Sequence, residues 1–97
     1  MIVEERSRPR VVPMIKRTVE VSRHPAHLSV HLDQLRIRQQ LPDESAPLVA
    51  SIPCEDIGML VVDQPQTTYS HIALSVLADK GAVVLLCGAN HLPAAML

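Results

Sequence analysis

From Ile15 onward the chain alternates between apolar and polar positions. In IKRTVEVS, Ile15, Val19 and Val21 fall on one side and Thr18 and Glu20 on the other, with Arg17 interrupting the apolar side; this predicts a half-buried strand. HLSVHLDQLRIRQ repeats the period of two and reads as a hairpin. Leu28, Val30 and Leu32 alternate with His27, Ser29 and His31, and after Asp33-Gln34 the apolar Leu35 and Ile37 alternate with Arg36 and Arg38. The expected turn lacks the favoured Asn-Gly or Asp-Gly pair, although Asp33 tolerates a left-handed backbone better than most residues. QQLPDESAP (39–47) is polar and contains two prolines, so it predicts a loop, and LVASIP resumes an extended pattern.

The second half changes its period. IGMLVV (57–62) is apolar without alternation, as expected of a strand covered on both faces. Beyond Pro65, Thr67 or Thr68 is placed to cap a helix, and Tyr69, Ile72, Ala73, Val76 and Leu77 recur as one helical stripe. Gly81 stands where a left-handed residue closes such a helix, directly after Lys80. AVVLLC then completes a strand–helix–strand unit. These patterns together predict an α+β fold, mainly β, with antiparallel strands, a hairpin and one amphipathic helix.

Length and composition bound the picture further. Ninety-seven residues allow one domain at most. The single aromatic residue, Tyr69, leaves an aliphatic core and excludes aromatic platforms for stacked bases. Charge is uneven: residues 1 to 40 hold eight Lys/Arg against four Asp/Glu, whereas residues 41 to 97 hold only Lys80 against six acids. An anionic partner would meet the first half. Two cysteines without a CxxC pair make neither a disulfide framework nor a zinc ribbon, and Cys87 reads as a small core hydrophobe. No apolar run approaches the ~20 residues that span a bilayer, and MIVEERSRPRVVP is no secretory leader, so a cytoplasmic address without membrane contact is expected. Residues 1–13, with mixed charge and no period, are expected to be a disordered or mis-assigned extension in front of a domain over 14–97. The hydrophobic HLPAAML suggests that this domain is incomplete at its end.

Several residue pairings imitate chemistry without supplying it. On a strand, His27 and His31 stand roughly 13 Å apart, too far to share an ion held at about 2 Å. His24 precedes Pro25, outside that strand. Glu55 and Asp56 are neighbours, and neighbours in an extended chain face opposite ways. The three glycines form no phosphate loop, and Ser70-His71 on a helix would not face each other. The hairpin's polar face is the stronger candidate. His27, His31, Arg36 and Arg38, with Lys16 and Arg17 on a nearby strand, would neutralise phosphates without reading bases, the alternative being an ordinary solvated face. No residue is assigned a catalytic, cofactor-binding or metal-binding role.

In order, KRTVEVS, PAHLSVHLDQLRI, IPCEDIGMLVVDQPQTTYSHIALSVLADKGAVVLLC and HLP resemble the amino-terminal domain of the CRISPR spacer-acquisition endonuclease, Cas one, in the version that accompanies type II systems. The resemblance covers residues 14 to 97. It implies a small β-domain followed by a larger helical domain whose Glu, His and Asp hold Mg²⁺ or Mn²⁺. It also implies dimerisation, bridging by the companion protein Cas two, and capture of a short DNA duplex for metal-dependent insertion into the CRISPR array. The helical domain lies outside this sequence, so the chain itself is expected to carry no cofactor, to serve in dimer contacts and DNA positioning, and to be inactive alone. None of Glu55, Asp56, His71 or His91 matches the catalytic positions. Asp33 stands where a turn glycine is common, and CGAN replaces an acidic link before HLP. The alternatives are a stand-alone module that binds an intact relative and a non-functional gene remnant.

Overall fold

The computed structural model describes residues 3–6, 16–43 and 46–97 of the chain. Among these residues nine strands, one helix and one 3-10 turn follow in order: β1 (Val3–Arg6), β2 (Arg17–Ser22), β3 (Ala26–His31), β4 (Gln34–Gln39), β5 (Leu48–Pro53), the 3-10 turn Cys54–Asp56, β6 (Ile57–Asp63), β7 (Thr68–Tyr69), α1 (His71–Asp79), β8 (Val83–Cys87) and β9 (Pro93–Met96). The α+β, mainly β architecture expected from the sequence is the one found. The strands form two mixed sheets, ordered β1-β2-β6-β8-β9 and β5-β4-β3-β7. Within the five-stranded sheet β2, β6 and β8 run parallel, and the edges β1 and β9 are antiparallel to their neighbours. The strand–helix–strand unit is β6–α1–β8, with its two strands side by side. Val3–Arg6, within the stretch expected to be an extension, pairs with β2, while the rest of 1–13 lies outside the described residues.

Alternation decides which face of each strand is buried. Val19 and Val21 of β2 are fully buried, as are Leu28 of β3 and Leu35 of β4. These residues join Ile37, Ile52, Leu60, Val62, Val84 and Leu77 in one aliphatic cluster shared by both sheets and the helix. Burying each such side chain is worth about 1.5–3 kcal/mol. Gly58 permits β2 and β6 to approach where the register shifts between Arg17 and Thr18: a Cβ there would lie 3.0 Å from Lys16 Cβ.

Four local expectations are corrected. The hairpin turns at Leu32-Asp33, so Gln34 pairs with His31 instead of forming the corner. Gln39 closes β4 and is fully buried instead of opening the loop, its Nε2 donating to the His24 carbonyl at 2.8 Å. Ser70 caps α1, accepting from the Ala73 amide, because Thr68 and Tyr69 are drawn into pairing with β3. The buried helical positions are consequently Ala73 and Leu77, while Tyr69 and Ile72 stay exposed. Finally, Cys54 is the fully buried cysteine and Cys87 is only half-buried.

Candidate nucleic-acid interface

Burial of Leu35, Ile37 and Gln39 leaves Gln34, Arg36 and Arg38 of β4 on the outer face of the four-stranded sheet. Pairing sets Arg36 opposite Ser29 and Arg38 opposite His27 on β3. On the other flank Arg36 faces Ser51 and Arg38 faces Val49 of β5. Together His27, Ser29, Arg36, Arg38 and Val49 line a shallow depression of ≈ 140 Å³. His27 Nδ1 lies 2.7 Å from Thr68 Oγ1, a contact made possible by the parallel pairing of β7 with β3. Neither guanidinium has a hydrogen-bonding or ionic partner among the described residues. Two adjacent unpaired cations on an exposed face repel one another and attract anions, and planar guanidinium groups suit phosphate oxygens.

The six sequence candidates are therefore split. His27, Arg36 and Arg38 come together. His31 is exposed at the end of β3 opposite Gln34 and does not line the depression. Lys16 and Arg17 belong to the other sheet, at the start of β2, where Lys16 Nζ donates to the Lys80 carbonyl at 2.9 Å. Ser29 and Thr68 were missed. Ser29 was already visible, since it alternates in phase with His27. Thr68 was not, because its contact with His27 spans 41 positions and no local period announces a parallel pairing.

Elsewhere among the described residues the polar groups do not converge on one cavity. Glu55 is exposed and Asp56 half-buried in the 3-10 turn. A second depression, ≈ 280 Å³, mixes Asp33 and Glu55 with Lys80 and the apolar Leu32 and Pro53. Asp63 is engaged by His91 at 2.9 Å. No three of His, Cys, Asp and Glu are grouped to hold a metal among the described residues. Burial, reinforced by the charge of Asp33, pushes the Cys54 thiol up, and burial with Asp63 and Glu20 does the same at Cys87. Raised thiols are poor nucleophiles near neutral pH. Among the described residues no helix is long and apolar enough to cross a membrane.

The fold and face define a small mixed-sheet domain with a basic outer face on its four-stranded sheet. No family model and no curated protein matches the chain. Solved structures do. A casposase bound to integration product matches with a TM-score of 0.60 at 13% identity, over 76% of this chain and 21% of its own. A CAS1 protein from Thermotoga maritima matches with a TM-score of 0.64 at 14% identity, over 82% of this chain and 24% of its own. The chain thus has a CAS1-related fold, and it spans less than a quarter of either solved chain.

Proposed function

We propose that this chain is a non-catalytic domain of the spacer-acquisition integrase class, which positions DNA by its phosphates and contributes dimer contacts. The observation that carries this reading is the unpaired Arg36–Arg38 couple on the outer face of a domain with a CAS1-related fold. That one of the similar structures is a casposase bound to integration product supports DNA as the anion. In this reading the metal, Mg²⁺ or Mn²⁺, and the contact with Cas two belong to the helical part of a full-length protein, and this chain supplies no step of strand transfer. Pairing with a second copy or an intact relative would use β5, an uncharged edge strand with Leu48 and Val49 exposed. Anisotropy titration of a labelled duplex should show weak binding that falls as salt rises, and Arg36→Ala with Arg38→Ala should weaken it for every sequence alike. Unchanged affinity in that double variant would remove the face from the reading. Purified chain with Mn²⁺ should leave branched and linear DNA uncut, and robust cleavage would refute its non-catalytic character.

A further inference from the structure

We propose that Arg36, Arg38, Ser29 and His27 form a subsite for two consecutive phosphates of one nucleic-acid strand running along β4, with Thr68 holding the His27 ring in place. This rests on the reading of the face as a nucleic-acid contact and adds its register.

Arg36 and Arg38 are two positions apart on one strand, so their Cα atoms are separated by about 6.8 Å. That span is close to the distance between neighbouring phosphates on a single strand. Each arginine has a second donor beside it on β3: the Ser29 hydroxyl opposite Arg36 and the His27 ring opposite Arg38. The result is a two-by-two arrangement, one guanidinium and one further polar side chain per phosphate. The flanks are uncharged, with Val49 and Ser51 on β5 and Thr68 on β7, so no further cation on these neighbours extends the track sideways. When Thr68 Oγ1 donates to His27 Nδ1, the ring's proton resides on Nε2. In that tautomer the ring donates from Nε2 with a fixed orientation. Tyr69, the single aromatic, follows Thr68 on β7 and so faces the opposite side of the sheet. The subsite therefore reads spacing and not base identity, and nothing in it distinguishes deoxyribose from ribose.

The test compares oligonucleotides that carry the same number of charged linkages in two arrangements, made by methylphosphonate substitution. In one the charges occur as adjacent pairs, and in the other they alternate with neutral linkages. The paired oligonucleotide should bind several-fold more tightly, in both deoxy and ribo forms. Its log–log salt slope on single strands should be near −1.4, falling to near −0.7 in Arg36→Ala or Arg38→Ala. Thr68→Val should lower affinity by about two- to ten-fold, the loss of one oriented hydrogen bond, with the salt slope and melting temperature unchanged. Thr68→Ser should restore it. Equal binding of the two arrangements, still abolished in the double arginine variant, overturns the register and spares the general reading of the face. Absence of binding to every oligonucleotide overturns both. Failure of Thr68→Ser to restore affinity, or no effect of Thr68→Val, removes Thr68 as the positioning residue.

Discussion

Leu32 and Asp33 occupy the corner of the β3–β4 hairpin at φ 51 and φ 59. Two successive positive φ values match the twist of a two-residue hairpin, and they suit Asn and Gly far better than Leu. Leu32 gains little in compensation, being 83% exposed. Leu32→Asn should therefore stabilise the domain by about 0.5–1 kcal/mol, read as a higher urea midpoint at constant slope. A lower midpoint would mean that Leu32 is held by packing. This corner also marks a limit of the pattern along the chain. Moving the turn by one residue, to Asp33-Gln34, shifts the cross-strand pairing by two and keeps Leu28, Val30, Leu35 and Ile37 on the core face, so alternation alone cannot choose between the registers; only a one-residue slip of the pairing would expose them. Tertiary pairing decides, with Ile52 of β5 opposite Leu35 and the Cys54 amide donating to the Asp33 carbonyl at 2.9 Å. Cys54 adds a pH dependence. Its thiol is raised in the folded state, chiefly by burial, so as pH climbs through about 8.5 the unfolded chain loses this proton before the folded one does. The stabilisation is complete below that pH and is lost above it. Cys54→Ala should flatten the decline in urea midpoint between pH 8 and 10; an unaltered decline would assign it to other groups.

At the scale of elements, α1 shows how much a short helix depends on its ends. Nine residues fall short of the about 12–15 at which an isolated helix is even marginally stable, so capping and contact with β3 and β8 must hold it. At its start the Ser70 side chain accepts from Ala73. At its end the Gly81 amide donates to the Ala78 carbonyl at 3.0 Å and the Ala82 amide to the Leu77 carbonyl at 2.9 Å, with Gly81 at φ 84. This double closure requires a left-handed residue. An added Cβ at Gly81 would meet nothing within 4 Å, so the cost of Gly81→Ala is conformational alone, about 1–2 kcal/mol. Ser70→Ala should cost about 1 kcal/mol. If Gly81→Ala proves neutral by denaturation, the closure contributes nothing. The helix's end was readable because glycine's freedom is local. Its beginning was not: Thr67, Thr68 and Ser70 all have capping chemistry, and pairing of Thr68 and Tyr69 with β3 selects Ser70. The same non-local pairing hid Thr68 as the partner of His27.

Across the whole molecule, patterning assigned the buried faces of β2, β3 and β4 but could not say which strands are neighbours. Lys16 and Arg17 looked like members of the hairpin's basic face because β2 and β3 are adjacent in sequence; the chain instead sends them to different sheets. That partition also shapes stability. Val19, Val21, Leu60, Val62 and Val84 of one sheet share a single cluster with Leu28, Leu35, Ile37 and Ile52 of the other, so neither sheet owns a core that would survive alone. Cys54, fully buried, belongs to this cluster and lies between β5 and β6, which are in different sheets. It is therefore a reporter of their separation. In a Cys87→Ser background, labelling of Cys54 by a thiol reagent across a urea series should follow the loss of far-ultraviolet circular dichroism in one coincident transition. Leu60→Ala should move both signals together to lower urea, by about 2–5 kcal/mol if the domain is stable enough to remain folded. Val49→Ala, on the exposed edge, should move neither by more than about 0.5 kcal/mol. Labelling that precedes the loss of dichroism would mean that the sheets part before they unfold, and the shared aliphatic cluster would no longer explain how the basic face is kept in register.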